Sequence, residues 1–202
     1  MVRNIHRHFR KVDPKIAKVL AIMELELLVA ETNGYFAKLC RDIISQQLGS
    51  GAAHAIHGRF LNLFPRKKGT PTSVLKFSEQ QLRNTGMSWA KARYVRSLAE
   101  AVYFGKVRLN QLHKLSDEEV IAELTKVKGI GRWTAEMFLM FTLGREDVFS
   151  HGDIGLRRGL ELLHGKAKTR TPQLINSLTE RWSPYRTYAC LALWHAKDTK
   201  AR

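Results

Sequence analysis

The chain has 202 residues, which is too short for several domains but long enough for one compact domain or two small lobes sharing a core. Hydrophobic residues make up 44% of the chain and aromatic residues 9%, a composition that excludes a disordered polypeptide. Lysine and arginine number 34 against 18 aspartates and glutamates, so the net charge is +16 and the expected partner is a polyanion.

Nucleic acid and an anionic membrane are the two polyanions to consider. No apolar run approaches the roughly 20 residues of a spanning helix, and the basic residues 1–18 are not followed by an apolar signal core. We therefore expect DNA rather than a membrane as partner, in the cytoplasm or nucleoid of a prokaryote or the nucleus of a eukaryote. Two cysteines, Cys40 and Cys190, cannot form a four-cysteine site, so no metal or other cofactor is expected.

Apolar residues recur at three- and four-residue steps along the chain, which predicts an all-α fold of about ten helices. Capping pairs such as Ser116 with Glu119 mark helix starts. The longer predicted helices span residues 16–29, 36–47, 52–64, 89–104, 117–126, 132–143 and 154–164. A short helix begins at Ser78, and Thr171-Pro172 and Ser183-Pro184 are predicted to open the last two.

No low-complexity linker interrupts these helices. We therefore expect one unit over 1–202 that consists of two helical lobes with a cleft between them. A central lobe is assigned to 36–146 and contains a helix-hairpin-helix over 117–143, and a second lobe is assigned to 1–35 plus 147–202. A monomer is expected.

The most informative segment is a glycine hairpin, Gly129-Ile130-Gly131. Two glycines one residue apart let the backbone approach a ligand closely, and the following helix presents N–H groups and the positive end of its dipole. An isolated Gly-x-Gly is more often a plain turn, but the charge of +16 favours a DNA phosphate here. The residues predicted to bind phosphate are Lys128, Gly129, Gly131, Arg132 and Thr134.

Twenty positions after Trp133, a carboxylate at Asp153 opens a helix. Aspartate is a favoured helix N-cap, and on local sequence alone that structural role is the simpler interpretation. Asp153 lies in a basic stretch beside Arg157 and Arg158, in a protein expected to bind DNA, which repels carboxylates. This context indicates a second role for Asp153.

The hairpin and the Asp153 loop together resemble the helix-hairpin-helix DNA glycosylase superfamily, and most closely its alkylpurine branch, the type II 3-methyladenine DNA glycosylases. The resemblance extends to residues 43–48, 85–92 and 181–194. It implies a base-excision-repair enzyme that hydrolyses the N-glycosidic bond of alkylated purines, such as 3-methyladenine and 7-methylguanine, in duplex DNA. Asp153 is then the catalytic residue. Family members often have proline where Ser150 stands.

Such an enzyme must flip the damaged nucleotide out of the duplex, and an apolar wedge fills the gap. Leu48, with Gln47 beside it, is the predicted wedge, and the alternative is that Leu48 is an ordinary core contact. Alkylation at N3 or N7 leaves a purine cationic, so electron-rich aromatic faces bind it preferentially. The predicted base pocket contains Trp133 and Trp194, with Met137 and Tyr185 as further candidates, although each tryptophan is also a plausible core residue.

Relatives that also cut the DNA strand carry a nucleophilic lysine where Trp133 stands, so the resemblance implies a glycosylase without lyase activity. Two alternatives remain open from the sequence. One is a glycosylase for another damaged base, deaminated or oxidised. The other is a non-catalytic helix-hairpin-helix module that binds damaged DNA.

Overall fold

A computed structural model of the chain describes residues 1–200. The regular elements of this part are all helical, which confirms the predicted all-α fold. The α-helices are α1 (Val2–Val12), α2 (Pro14–Ile22), α3 (Tyr35–Ser45), α4 (Ser50–Leu61), α5 (Pro71–Val74), α6 (Glu79–Arg83), α7 (Trp89–Tyr103), α8 (Asp117–Leu124), α9 (Arg132–Phe141), α10 (Ile154–His164), α11 (Pro172–Thr179) and α12 (Arg186–Lys200). Short 3₁₀ helices span Pro65–Lys67, Leu109–Lys114, Lys166–Lys168 and Glu180–Trp182.

The chain forms two compact units. We call residues 31–138 the central unit, and residues 1–30 with the chain from 139 onward the terminal unit. The boundaries expected from the sequence lay at 36 and 146. No helix within residues 1–200 is long and apolar enough to cross a membrane. The same residues contain no group of three or more His, Cys, Asp or Glu side chains placed to hold a metal ion.

Sequence signals at helix starts agree closely with the structure. The Ser116 and Ser78 hydroxyls accept the backbone N–H groups of Glu119 and Gln81, and both capping boxes are complete. The helix predicted over 154–164 has these bounds. Capping is decided within four residues, so local sequence suffices to place these ends.

The first predicted helix, 16–29, is wrong at its end. α2 stops at Ile22, and Met23 is extended, with φ −94° and ψ 146°. Glu24-Leu25-Glu26-Leu27 alternates charged and apolar residues, the pattern of an extended chain with one face against the protein. Leu25 is half-buried and both glutamates are exposed, but Leu27, on the same face as Leu25, is exposed as well. A further helix, α1, precedes α2, and the Asp13 carboxylate caps the latter.

The prediction that Ser183-Pro184 opens the last helix is also wrong, since α12 begins at Arg186. The Ser183 hydroxyl donates to Asp147 Oδ2 at 2.8 Å instead of capping a helix. The Arg186 guanidinium binds the same carboxylate, with Nε 2.8 Å from Oδ1. Burial opposes ionisation of Asp147, but these hydrogen bonds outweigh it and lower its pKa.

The terminal unit packs around α10 and α12. A Cβ at Gly159 of α10 would lie 2.6 Å from the Leu193 carbonyl oxygen of α12, so glycine lets the two helices approach closely. The approach brings the start of α10 beside the C-terminal half of α12. Trp182 and Tyr188 are fully buried in this core. The Trp182 indole donates to Asp13 Oδ2 at 2.9 Å and so connects the core to the start of α2.

In the central unit, α3 packs against α4 and α7. Leu39 and Ile43 of α3 and Val95 and Leu98 of α7 have no exposed surface. This packing fixes the C-terminal end of α3, from which the predicted wedge residues project.

Candidate functional site

The glycine hairpin joins α8 to α9 in the central unit. The Ile130 N–H donates to the Val127 carbonyl at 3.0 Å, and the Ala135 N–H donates to the Gly131 carbonyl at 3.1 Å, which starts α9. Gly129 has φ +96°, and a Cβ there would overlap the Tyr94 ring, so the fold requires glycine. A Cβ at Gly131 would meet no heavy atom within 4 Å. Gly131 therefore leaves open space at the N-terminal end of a ten-residue helix, where an anion is favoured.

Of the three side chains among the five predicted phosphate-binding residues, two have protein partners. Arg132 Nη2 lies 2.6 Å from Glu118 Oε1, and its Nε lies 2.9 Å from Glu136 Oε1. The Thr134 side chain is buried, and its hydroxyl accepts a hydrogen bond from Gln46 Nε2 at 3.2 Å. The polar side-chain atoms of both residues are thus directed to the protein, and their role in phosphate binding stays a prediction. Lys128 is exposed.

The predicted wedge residues follow the C-terminal end of α3. Gln47 is exposed and has φ +56°, in the left-handed region. Leu48 is 37% exposed, and its N–H donates to the Ser45 carbonyl at 3.1 Å. Leu48 therefore lies at the surface rather than in the core, and its role as the wedge stays a prediction.

The predicted base-pocket residues of the central unit lie on α9. Trp133, in the first turn, is 44% exposed. Met137 is half-buried one turn later. A four-residue step places both side chains on the same side of the helix. The interpretation of Trp133 as an ordinary core residue is therefore wrong.

In the terminal unit, Asp153 caps α10, as the simpler interpretation predicted. Its Oδ1 accepts the Leu156 N–H at 2.7 Å. The same oxygen accepts the Trp194 indole N–H at 3.2 Å. The Asp153 N–H donates to the carbonyl of the fully buried Ser150, which sets the turn before α10. The carboxylate thus has an indole beside it in addition to its capping role.

Gly155 leaves room for the pairing of Asp153 with Trp194. A Cβ there would lie 3.0 Å from Asp153 Oδ1 and 3.1 Å from Trp194 Nε1, tighter than ordinary packing. A side chain at position 155 would require the carboxylate or the indole to move by a few tenths of an ångström.

An aromatic side chain that the sequence analysis missed extends this site. The Phe141 ring lies 6.0 Å from the Trp194 ring, with the planes inclined by 33°. Phe141 is 43% exposed although Phe138, Leu139 and Met140 before it are buried. The sequence held one signal, because Phe141 follows Met137 by the four-residue step that separates Met137 from Trp133.

A cavity of about 490 Å³ opens beside Phe141. It is lined by Phe141, Leu191 and the extended residues 23–29. Tyr185, the remaining predicted pocket residue, belongs to a separate ring cluster, 5.3 Å from His8 and 6.2 Å from Tyr188. Of the terminal-unit candidates, the structure brings Trp194 to Asp153 and places Tyr185 in that other cluster.

The hairpin and the Asp153 turn lie within a single match to a known family. Residues 40–184 match the family model described as HhH-GPD superfamily base excision DNA repair protein. The chain belongs to the HhH-GPD superfamily. The family predicted from the motifs is therefore confirmed.

Similar HhH-GPD proteins cover most of the chain. DNA-3-methyladenine glycosylase 1 of Schizosaccharomyces pombe is 38% identical over 165 residues, which cover 79% of this chain and 71% of that protein. A crystal structure of DNA-3-methyladenine glycosidase from Bacillus halodurans has 37% identity and a TM-score of 0.82, covering 96% of this chain and 88% of that one. A Schizosaccharomyces pombe 3-methyladenine DNA glycosylase in complex with abasic DNA has 33% identity and a TM-score of 0.81, covering 95% of both chains.

Proposed function

We propose that this protein is a base-excision-repair DNA glycosylase that hydrolyses the N-glycosidic bond of alkylated purines, such as 3-methyladenine and 7-methylguanine, in duplex DNA. The observation that carries the proposal is the Asp153 carboxylate held beside the Trp194 indole, 3.2 Å from Nε1 to Oδ1. The names of the similar proteins, which are 3-methyladenine DNA glycosylases, support it.

The chemistry requires little beyond a carboxylate and a water molecule. An N3- or N7-alkylated purine is already cationic, so it leaves readily with the electrons of the C1′–N bond. The sugar becomes an oxocarbenium-like cation, which the Asp153 carboxylate stabilises. Water then adds to C1′ and gives a proton to the Asp153 carboxylate, which acts as general base. The products are an abasic site and the neutral alkylated purine. Hydrolysis needs no amine nucleophile, and we expect no lyase activity.

Aromatic faces account for the choice of a cationic base. The Trp194 and Phe141 rings are the surfaces on which we propose that the expelled purine stacks. Trp133, exposed on α9, stays a separate candidate for stacking. Cations bind preferentially over such faces. In addition to the stacking surface of its ring, Trp194 supplies the N–H group that orients the Asp153 carboxylate.

The hairpin supplies the binding of duplex DNA in this proposal. The first turn of α9 presents backbone N–H groups, and Gly131 leaves room for a phosphate to approach them. Lys128 adds an exposed positive charge beside the hairpin. These contacts to phosphates do not depend on the DNA sequence, as expected of an enzyme that searches duplex DNA for damage. We propose that the protein binds DNA as a monomer.

The test uses duplexes that each carry one defined base: 3-methyladenine, 7-methylguanine, hypoxanthine or 8-oxoguanine. The protein is incubated with each duplex, and alkali then cuts the strand at any abasic site. We expect excision of the two alkylated purines. Asp153→Asn keeps the capping oxygen but removes the charge, so excision should fall at least about a hundredfold while the variant folds and binds lesion DNA.

Asp198→Asn is the matched control, because it removes the same charge from an exposed position of α12, where Asp198 pairs with Lys197. It should excise at the wild-type rate. Borohydride should trap no covalent adduct with any of these proteins. Near wild-type excision by Asp153→Asn would overturn the mechanism. If the wild type removes no base from any duplex, the DNA-binding module becomes the better interpretation.

Leu48 is proposed as the wedge that fills the space of the flipped nucleotide. Leu48→Ala should slow excision from a fully paired duplex by about tenfold, but should slow it little where the lesion lies opposite a gap, since only the paired site resists flipping. Single-turnover rates on the two duplexes measure the difference. Equal losses on both would show that Leu48 has no wedge function.

A further inference from the structure

A half-buried lysine holds the end of the helix that carries the predicted wedge. Lys91 Nζ donates to the carbonyl oxygens of Ile44 at 2.8 Å and Gln46 at 2.6 Å. These carbonyls belong to the last turn of α3 and its C-cap, where a helix leaves acceptors without partners and its dipole favours a cation. Burial lowers the pKa of Lys91. Lys91 also lies in the first turn of α7, where that helix's own dipole disfavours positive charge.

Gln46 connects the same segment to the hairpin. Its side-chain Nε2 donates to the Gly129 carbonyl at 3.0 Å and to the Thr134 hydroxyl at 3.2 Å. Gly129 lies in the hairpin, and Thr134 lies in the first turn of α9. Gln46 therefore has its carbonyl bound by Lys91, while its side chain binds the hairpin.

The residues that follow need such support. Gln47, with φ +56°, has a backbone conformation that residues with a Cβ rarely adopt and that persists only where neighbouring contacts hold it. Leu48 comes next and is exposed, so its own packing does not fix its position. Besides the hydrogen bond from the Leu48 N–H to the Ser45 carbonyl, the contacts that hold this segment are those of Lys91 and Gln46 just before it.

We propose that Lys91 and Gln46 are positioning residues for base flipping, which hold Leu48 in a fixed place relative to the phosphate-binding hairpin. Binding of the hairpin to DNA then brings the wedge to one defined position along the duplex. This inference rests on the proposed glycosylase function. Lys91 and Gln46 touch neither the base nor the sugar in this scheme, and they act through Leu48.

The experiment compares Lys91→Met, which keeps the aliphatic stem and removes the ammonium, with the wild type on the two duplexes used for Leu48. Excision from the paired duplex should fall by about tenfold, and excision opposite a gap by about twofold or less. Affinity for undamaged duplex should stay within about twofold of wild type, because no phosphate contact is removed. Lys106→Met removes an exposed lysine beyond the far end of α7 and should change neither rate.

A double-mutant cycle separates positioning from general structural damage. If Lys91 acts through Leu48, adding Lys91→Met to Leu48→Ala should slow excision from the paired duplex no further. Multiplied losses would overturn the proposal. A direct phosphate contact by Lys91 would instead weaken binding of every duplex and reduce the slope of log affinity against log salt by about one.

Gln46→Met keeps the test decisive if Lys91→Met fails to fold. It removes the hydrogen bonds to Gly129 and Thr134 but leaves the Gln46 carbonyl available to Lys91. The same loss confined to the paired duplex is expected, and wild-type rates on both duplexes would overturn the proposal. If the wild-type protein excises from neither duplex, the proposed function is wrong and this inference fails with it. If it excises from both and the cycle is multiplicative, the positioning role alone is wrong.

Discussion

The hairpin of the central unit and the Asp153 site of the terminal unit are built in opposite ways. In the hairpin, the Arg132 and Thr134 side chains are bound to protein, so what remains for a ligand is mainly backbone and the open space at Gly131. In the terminal unit, the side chains of Phe141, Asp153 and Trp194 come together from distant points of the chain. Backbone geometry therefore governs the first region, and side-chain chemistry the second. Substitutions should separate DNA binding from excision accordingly.

The largest effect on stability is expected at the two hairpin glycines, because a Cβ would meet different surroundings at each. Gly129→Ala places a Cβ against the Tyr94 ring at positive φ, and should lower the free energy of unfolding by about 3 kcal/mol. Gly131→Ala adds a methyl group to open space and should melt at nearly the wild-type temperature. Thermal melting of the two variants measures the contrast.

Gly131→Asp then tests the function of that open space. The variant should fold, because its Cβ meets nothing within 4 Å, yet bind damaged and undamaged duplexes more weakly by the same factor. Fluorescence anisotropy with labelled duplexes gives both affinities. Unchanged affinity in the folded variant would remove the hairpin from the proposed phosphate site. A Gly129→Ala protein as stable as wild type would contradict the described approach of Tyr94.

Two tryptophans of the terminal unit sharpen the comparison, because each donates its indole N–H to an aspartate. Trp194 donates to Asp153, while the fully buried Trp182 donates to Asp13 in the core. Trp194→Phe should lower the excision rate by about tenfold and leave stability nearly unchanged. Trp182→Phe should do the reverse, lowering the free energy of unfolding by about 1–3 kcal/mol while the folded protein excises at the wild-type rate.

Single-turnover excision and chemical denaturation measure both properties for both variants. Similar behaviour of the two would mean that the Asp153 pairing is a structural contact like the one at Asp13. The crossed result would assign the Trp194 N–H to the chemistry. Neither outcome depends on how tightly the hairpin binds DNA, provided that rates are measured at saturating protein.

The features that the sequence predicted well are those decided by neighbouring residues. The capping boxes at Ser78 and Ser116 depend on a few consecutive backbone groups, and the hairpin glycines form a short motif, so local patterns reveal them. The family motif added Asp153, whose N-cap role was also readable from its position before α10. Nothing nonlocal is needed for any of these predictions.

The features that were missed depend on tertiary packing. The four-residue step from Met137 places Phe141 on the same side of α9, but its contact with Trp194 depends on tertiary packing. Gln46 pairs with Gly129 across 83 positions, a contact that no local pattern contains. The extended segment after Ile22 comes directly after a helical pattern of apolar residues, which hides the end of α2. The alternation that marks the extended chain, at residues 24–27, is only four residues long.

The smallest expected effect concerns pH and again contrasts the units. The His164 side chain of the terminal unit is 6% exposed, and its Nε2 lies 3.4 Å from Asp13 Oδ2. Burial lowers the pKa of His164; the Asp13 carboxylate opposes the shift, while Lys15, Lys168 and Arg181 add to it. In the central unit, burial together with Arg41 and His54 also lowers the pKa of His57, which is only half-buried.

The direction in which stability changes with pH follows from proton binding by His164. Unfolded His164 takes up a proton as the pH falls through about 6.5, whereas the folded protein keeps it neutral to lower pH. The unfolded state then binds more protons, so stability present above that pH is lost on acidification, by at most about 1.4 kcal/mol per pH unit. His164→Leu should flatten the dependence of the melting temperature on pH between about 7 and 5. His57→Gln should flatten it less, because His57 is less buried. An unchanged slope in His164→Leu would show that the acid sensitivity arises elsewhere in the chain.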